Sequence, residues 1–286
     1  MPDDVLQFRM MTAADIPDGV KLCRTAHWNQ LPRDWEMFLQ LSPADCRVAV
    51  KNEQVIGTVT TVNYQNLFSW IGMVLVDPAE RRQGIGTQLL QKALDVLRDQ
   101  PTVGLDATPA GREVYLKLGF VDDCRLSRMG MIVADSFARN EISPARRMTE
   151  ADLPKVFELD RNVFGADRRT VLEWMFVGAP EYAWVLMRED HLAGFTLGRH
   201  GFNFEHIGPV VAENAEAAKQ LVSAALAEQN GRTCILDAAH HDGEWVRWLE
   251  AAGFRQQRPF IRMVRGNATR RGLPELQFAI LGPEFG

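Results

Sequence analysis

A short segment rich in arginine and glycine has the composition of a phosphate-binding loop. It follows a strand-like run, precedes an amphipathic helical pattern, and reads Arg81-Arg82-Gln83-Gly84-Ile85-Gly86-Thr87. The first N–H groups of a helix have no partner within the helix, and the helix dipole adds partial positive charge there. Gly84 and Gly86 lack a Cβ, so a pyrophosphate can approach the main chain closely. The arginines and the Thr87 hydroxyl strengthen the prediction that residues 81–87 bind a nucleotide cofactor.

The segment does not match the two common nucleotide motifs. It lacks the Gly-Lys-Ser/Thr of a P-loop NTPase, and Leu89 occupies the place of the third glycine of a dinucleotide fingerprint. The alternative interpretation is a glycine-rich turn whose arginines are simply solvated. The strand-like run on one side and the helical pattern on the other favour the phosphate site.

The elements around this loop predict an α+β domain. Strands are predicted over 47–50 and 55–62, joined by a hairpin turn at Asn52-Glu53, and over 71–76 and 103–107. A helix is predicted from about 87 to 98, where leucines and Ala93 recur at helical spacing. A short helix over 112–118 ends at Gly119, a typical glycine after a helix.

The sequence repeats itself at nearly constant spacing. The matched pairs are Met11–Pro17 with Met148–Pro154, Val55–Gly57 with Leu192–Gly194, Trp70–Gly72 with His206–Gly208, Gly119–Phe120 with Gly253–Phe254, and Arg128–Met129 with Arg262–Met263. Both copies open with a threonine followed three residues later by aspartate, a helix-capping pattern. Two large copies predict two tandem domains of one fold, over 1–136 and 145–286, joined near 134–145.

Composition excludes several classes of protein. The chain is 46% hydrophobic and 24% charged, as globular proteins are. Its net charge of -5 argues against nucleic-acid binding through phosphate neutralisation. The four cysteines are isolated, which predicts reduced thiols and no metal site. Residues 1–10 contain no apolar leader segment and no apolar run has membrane-spanning length, so we expect a cytoplasmic protein without membrane contact.

Two motifs in the first half resemble the signatures of the GNAT superfamily of N-acetyltransferases. Arg81-x-x-Gly84-x-Gly86 matches its cofactor-loop motif, and Tyr115-Leu116-Lys117-Leu118-Gly119-Phe120 is similar to its Tyr-x-x-x-Gly-Phe signature. Trp28-Asn29-Gln30 resembles a feature of tandem bacterial members. The resemblance implies two tandem GNAT-like domains, each a mixed, mostly antiparallel sheet flanked by helices. It also implies acetyl-CoA as cosubstrate and no metal.

The resemblance also implies roles for individual residues. Main-chain groups of Val74, Leu75 and Val76 would contact the pantetheine arm, and residues 81–87 the pyrophosphate. Tyr115 matches the general-acid position, where a phenol of pKa about 10 can donate to a thiolate of pKa about 8.5. Residues 28–30 are the acceptor-side candidates, with a packing role as the alternative. No general base is evident; the candidates are His27, Asp34, Glu36, Glu205 and His206.

The second copy lacks the predicted phosphate site. At the loop position it reads Val210-Val211-Ala212-Glu213-Asn214-Ala215-Glu216-Ala217, without the glycines and arginines. Acidic side chains at a helix N-terminus would repel a pyrophosphate. Leu249 occupies the tyrosine position. We therefore expect a degenerate domain that closes over the first and shapes the acceptor site. His240-His241-Asp242 is interpreted as an exposed loop rather than a metal site.

Together these observations predict an N-acetyltransferase. The acetyl group of acetyl-CoA would pass to an amine of a small molecule or peptide by direct attack in a ternary complex. The alternative is a non-catalytic acyl-CoA-binding sensor or regulatory module, and a protein–protein module with a relic site is a third possibility. Oligomeric state is left open by the sequence.

Overall fold

The computed structural model describes residues 5–134, 143–267 and 272–286. The described elements of the first half are β1 (Gln7–Met10), α1 (Ile16–Thr25), α2 (Pro32–Leu41), β2 (Arg47–Lys51), β3 (Gln54–Tyr64), β4 (Phe68–Val76), α3 (Ile85–Val96), β5 (Thr102–Ala107), α4 (Pro109–Lys117) and β6 (Val121–Ile132).

The second half repeats this order and adds one strand. Its described elements are β7 (Arg146–Arg147), α5 (Leu153–Phe164), α6 (Arg169–Gly178), β8 (Trp184–Arg188), β9 (His191–Arg199), β10 (Glu205–Ala212), α7 (Ala215–Leu226), β11 (Thr233–Ala239), α8 (Gly243–Ala251), β12 (Arg255–Gly266) and β13 (Gln277–Ile280). The predicted α+β class and the repeat are confirmed. No helix within the described ranges has the length and apolar character needed to cross a bilayer.

Local signals in the sequence place most element ends correctly. Asn52 and Glu53 form the predicted hairpin turn, with φ of 49° and 63°, as tight β-hairpin turns require. Gly119 follows α4 with φ of 84°, as predicted. Helix α4 begins earlier than predicted because the Thr108 hydroxyl accepts a hydrogen bond from the Gly111 N–H, 3.2 Å away, and caps the helix.

The same capping network opens both halves. In each, an aspartate accepts hydrogen bonds from the backbone N–H and hydroxyl of a threonine three residues earlier, at 2.8–3.0 Å. An arginine from the first strand binds the same carboxylate in bidentate fashion at 2.7 and 2.8 Å. The groups involved are Arg9, Thr12 and Asp15 in the first half and Arg146, Thr149 and Asp152 in the second. The two copies therefore begin with the same charge-assisted cap.

The two halves exchange their long strands β6 and β12. Within the described ranges all strands join one sheet, in the order β1-β2-β3-β4-β5-β12-β6-β11-β13-β10-β9-β8-β7. Strand β12 of the second half lies between β5 and β6, and β6 pairs with β11. The halves therefore share one sheet, and their boundaries at 136 and 145 remain predictions. Residues 135–142 of the predicted junction lie outside the described part of the chain.

Each half contains one parallel pair of strands that diverges after two residue pairs. β4 pairs with β5 only at Ser69–Val103 and Trp70–Gly104. β10 pairs with β11 at the equivalent positions, Glu205–Cys234 and His206–Ile235. We call the spaces beyond these pairs the first cleft and the second cleft. In the second cleft β13 is inserted, and it pairs with both β10 and β11.

The segment 281–286 runs from β13 into the first half. The Trp70 indole N–H donates to the carbonyl of Pro283 at 2.8 Å, and the Tyr64 hydroxyl donates to that of Phe285 at 2.5 Å. The Phe285 ring stacks on Phe38 with ring centroids 4.6 Å apart. Leu281 and Phe285 of this segment are buried in a hydrophobic core shared by both halves. This burial holds the segment in place against β4.

Candidate functional site

A cavity of about 740 Å³ occupies the first cleft. One end is formed by the loop before α3, with Arg81, Gly84 and Thr87, and the walls are formed by residues 71–76 and by α4. The other end is formed by residues 25–30 and by groups from the second half. The cavity thus joins the predicted phosphate loop, the predicted pantetheine strand and the predicted acceptor side.

The loop before α3 presents unpaired backbone N–H groups to this cavity. Gly84 is the N-cap residue, with φ of 79° and without a side chain to cap the helix. The first helical N–H groups, at residues 85–87, therefore have no partner within the helix. A Cβ at Gly86 would have Val76 Cγ2 as its nearest neighbour, 3.6 Å away. The fold thus has room for a methyl group at this position.

The arginines of the loop differ in position. Arg81 Nε donates to the carbonyl of Val76 at 3.1 Å, which holds its guanidinium beside the end of β4. Arg82 lies in the left-handed region with φ of 64°, and it forms no ion pair with a carboxylate in the described part of the chain. Gln83 donates to Glu80 at 3.1 Å. Both arginines are exposed and can neutralise an anion at the helix N-terminus.

One edge of β4 is free along the first cleft. Its other edge is paired with β3 up to Gly57–Val76, with a bulge at which Met73 adopts φ of 50°. The Thr58 hydroxyl donates to the Met73 carbonyl at 2.8 Å and so stabilises the bulge. Unpaired strand edges present backbone N–H and C=O groups that need partners. The main chain at Val74, Leu75 and Val76 therefore lies where an extended polar ligand could bind.

Tyr115 contacts the same cavity from α4. Its ring packs edge-on against Phe120, with centroids 6.1 Å apart, in the core formed by α3 and β5. Burial raises the pKa of Tyr115 to about 12. The hydroxyl therefore stays protonated at neutral pH and is available as a donor. Full proton transfer from this hydroxyl to a thiolate of pKa about 8.5 therefore costs more free energy than transfer from a tyrosine of ordinary pKa, about 10.

The side chains of Trp28-Asn29-Gln30 line the cavity but also connect the two halves. The Asn29 side chain accepts from the backbone N–H groups of Asn203 and Phe204 at 2.8 and 3.1 Å, and donates to the Phe204 carbonyl at 2.9 Å. Gln30 donates to Glu284 Oε1 at 2.9 Å. Trp28 packs partly buried against the shared core. These hydrogen bonds give residues 29 and 30 a structural role beside any contact with an acceptor.

Glu284 is a cavity residue that sequence reasoning missed. It is 4% exposed, and its backbone lies against β4, since a Cβ at Gly72 would be 2.9 Å from its Cα. Arg199 bridges Glu284 and Asp34, with an ion pair of 2.5 Å to Asp34 Oδ1. Burial alone would raise the pKa of the Glu284 carboxyl, but the nearby Arg199 guanidinium lowers this pKa below its ordinary value. Glu284 is therefore a carboxylate beside the bulge of β4.

The five base candidates from the sequence occupy different environments. His27 is exposed and lines the cavity. Asp34 is buried in its ion pair with Arg199, and Glu36 is exposed on the surface of α2. Glu205 pairs with His200 and Arg232.

His206 is enclosed near Asp237, with Nε2 at 3.2 Å from Oδ2. Burial lowers its pKa despite this carboxylate. Of these five base candidates, His27 lines the cavity. The structure adds Glu284 as a sixth candidate, because its carboxylate lies on the acceptor side of the same cavity.

The second half lacks the features that form the cavity of the first half. Its cleft is filled by β13. The N-terminus of α7 is capped, because the Asn214 side chain accepts from the Ala217 N–H at 3.0 Å. Glu213 is held by an ion pair with Arg188, and Leu249 is buried in the core. A phosphate ligand would therefore meet a side-chain cap at the helix N-terminus and a cleft that β13 fills.

The His240-His241-Asp242 segment has a structural explanation. The Asp242 carboxylate accepts from the N–H groups of Glu244 and Trp245 at 2.7 and 3.2 Å, and thereby caps α8. In the part of the chain that the structure describes, no three histidine, cysteine or acidic side chains come together as metal ligands do.

Two family models match the chain. The GNAT acetyltransferase family matches residues 16–120, and an acetyltransferase (GNAT) domain model matches residues 156–278. The holothin acyltransferase of a Pseudoalteromonas strain is 27% identical over 262 residues, which cover 91% of this chain and 87% of the relative.

Solved structures agree in fold. A putative acetyltransferase from Pyrococcus horikoshii superposes with a TM-score of 0.81 at 24% identity, over 98% of this chain and 96% of the other. A tandem GNAT protein from the clavulanic acid biosynthesis pathway superposes with a TM-score of 0.65 at 16% identity, over 91% and 98% of the two chains.

Proposed function

Because the chain belongs to the GNAT superfamily of acyltransferases and contains two tandem GNAT domains, we propose that it acetylates an amine and that its second domain is degenerate. The acetyl donor is acetyl-CoA, and the acceptor is a small molecule or peptide that attacks directly in a ternary complex. The observation that carries this proposal is the contrast between the clefts. The first is open at an uncapped helix N-terminus, whereas β13 fills the second.

The residues around the first cleft fit acetyl-CoA, which would supply an acyl group activated as a thioester. Free N–H groups at residues 85–87 suit its pyrophosphate, and Arg81 and Arg82 add positive charge. Each hydrogen bond to such an anion contributes about 1.5–3 kcal/mol. The free edge of β4 at Val74, Leu75 and Val76 suits the amides of the pantetheine arm.

Two side chains are placed for proton handling. Tyr115 holds a proton on its hydroxyl at neutral pH and serves as the general acid or hydrogen-bond donor toward the departing sulfur. Glu284, a carboxylate, attracts an ammonium ion and orients it toward β4. The ammonium ion first loses one proton to water, because only the neutral amine has a lone pair with which to attack the thioester carbonyl. The nitrogen becomes positively charged as it bonds to carbon, and Glu284 accepts one of its protons directly or through water. This assignment gives the acceptor side a charged group.

The test measures thiol release from acetyl-CoA with a panel of primary amines. We expect amine-dependent release with the wild-type protein, and a 10²- to 10⁴-fold lower rate for Tyr115→Phe with unchanged acetyl-CoA affinity. Tyr182→Phe is the matched control, because Tyr182 is a buried tyrosine of the second half that binds Gln229 at 3.1 Å and lies outside the cavity.

Two outcomes contradict the proposal. Tight acetyl-CoA binding without thiol release for any amine would favour the sensor function. Absence of calorimetric heat with acetyl-CoA would contradict the phosphate loop itself. A Tyr115→Phe protein as active as Tyr182→Phe would remove Tyr115 from the chemistry and leave the transfer reaction standing.

A further inference from the structure

An arginine of the second half faces the cavity without an ion-pair partner. Arg258 on β12 lines the cavity, and its guanidinium lies over the Phe260 ring, 4.8 Å from the centroid. Its Nε is buried and has no hydrogen-bond acceptor among the described residues. An unpaired buried donor on a charged group is costly, so this position calls for an anionic partner.

Three other arginines that are largely buried form ion pairs with carboxylates. Arg128, which also lines the cavity, binds Asp237 in bidentate fashion at 2.8 Å. Arg262 binds Asp106 in the same way at 2.9 Å. Arg199 binds Asp34 and Glu284. Arg258 forms no ion pair with a carboxylate in the described ranges, although the negative charges of Asp237 and Glu284 act on it from a greater distance.

The charge at Arg258 persists at neutral pH. Burial, with the positive charge of Arg128 nearby, lowers the pKa of Arg258 to about 10. This value still leaves the guanidinium protonated at pH 7. A carboxylate bound beside it would reverse the effect of Arg128.

Arg258 belongs to the acceptor side of the cavity rather than to the phosphate loop. Side chains alternate between the two faces of a strand. On β12, Met263 packs into the core under α3, whereas Phe260 packs with Leu126 and Ile280 in a different cluster. Arg258 contacts Phe260, so it lies with that cluster, on the face where segment 281–286 brings Glu284.

We propose that the acceptor carries a carboxylate in addition to its amine, and that Arg258 binds this carboxylate. The inference rests on the proposed acyl transfer and specifies its substrate class. Glu284 and Arg258 then give the acceptor site one negative and one positive group, which suits a molecule with one charge of each sign. A planar guanidinium binds a carboxylate through two parallel hydrogen bonds, which a neutral amine cannot provide.

The experiment compares matched amines that differ only in the carboxylate. The pairs are 4-aminobutyrate with butylamine and 4-(aminomethyl)benzoate with benzylamine. For the wild-type protein we expect kcat/KM at least about tenfold higher for the acidic member, as a charge-assisted pair provides. In Arg258→Gln we expect the ratio of the two kcat/KM values to fall to about one, because the charge-assisted pair is lost. Arg255→Gln, an exposed arginine of the same strand, is the matched control and keeps the preference.

A binding measurement separates this inference from the reaction itself. Saturation-transfer NMR with the CoA-loaded protein reports binding of 4-(aminomethyl)benzoate and benzylamine without turnover. If no amine is acetylated but the acidic probe binds through Arg258, the proposed reaction fails and the inference stands. If both probes bind equally to wild type and Arg258→Gln, the inference is overturned.

A phosphate of the coenzyme is the other possible source of an anion. Titration with acetyl-CoA and 3′-dephospho-acetyl-CoA distinguishes this case. We expect Arg258→Gln to bind acetyl-CoA as the wild-type protein does. If its acetyl-CoA affinity instead falls to that of the wild type for the dephospho compound, Arg258 binds the coenzyme and the inference is wrong.

Discussion

Replacement of Gly86 by alanine tests the phosphate loop with the smallest possible change. The new methyl group would lie 3.6 Å from Val76 Cγ2, at ordinary contact distance, so the loop need not move. Alanine is also a better helix former than glycine, by up to about 1 kcal/mol. We therefore expect the free energy of unfolding to stay the same or to rise.

We expect the methyl group to weaken ligand binding instead. It would lie in the first turn of α3, where the N–H groups of residues 85–87 have no partner within the helix, and it would keep a phosphate from approaching one of them. Loss of one hydrogen bond to a charged phosphate costs about 1.5–3 kcal/mol, which raises the Kd for acetyl-CoA roughly 10- to 150-fold.

Isothermal titration calorimetry measures the Kd, and urea denaturation measures stability. Gly243→Ala is the control, because Gly243 begins α8 in the second half and its Cβ would meet only the Arg247 guanidinium, at 3.3 Å. The reasoning is refuted if Gly86→Ala folds stably and binds acetyl-CoA within threefold of wild type.

Three further predictions follow from the described contacts. Glu284→Gln should lower kcat/KM for the amine at least about 100-fold more than Asp34→Asn does in steady-state assays. Both carboxylates bind Arg199, but of the two Glu284 alone lines the cavity. Equal losses in the two variants would indicate a structural role for Glu284. Hydrogen bonding to Arg146 lowers the pKa of Asp152, so its stabilisation is present above the unfolded pKa of about 3.9 and is lost as pH falls toward the folded value. Urea titrations between pH 5 and pH 2 should show a stability loss that is smaller in Asp152→Asn by about 1 kcal/mol; identical slopes would contradict this. Finally, the two halves expressed as separate chains cut within 135–142 should be soluble only when co-expressed, as fractionation would show; a soluble first half alone would argue against the strand exchange.

Features set by neighbouring residues in the chain were predictable. The phosphate loop needs glycines within one turn of a helix, and the caps need a threonine and an aspartate three residues apart. Both features can therefore be predicted from a short stretch of sequence. The hairpin at Asn52-Glu53 and the glycine at 119 follow from backbone conformation in the same way. The repeat was visible because both copies keep these local signals.

Features set by distant contacts were not predictable. A strand pattern specifies which residues are buried, but it does not specify the neighbouring strand, so the exchange of β6 and β12 left no mark in the sequence. Glu284 lies far along the chain from β4, and its partner Arg199 is on β9. In the sequence Arg258 is one of many arginines, and only the fold shows that no carboxylate of the described residues forms an ion pair with it. The sequence signal that could have helped was weak: one acidic residue next to Gly-Pro at 282–283.

The strand exchange also affects how the two copies can diverge. A duplicated copy that no longer binds a cofactor is ordinarily free to accumulate substitutions. Here the second copy supplies β12 as a wall beside β5 and supplies the segment that carries Glu284. A substitution in the second copy therefore changes the first cleft directly, and selection on the proposed activity would act on both halves of the gene at once.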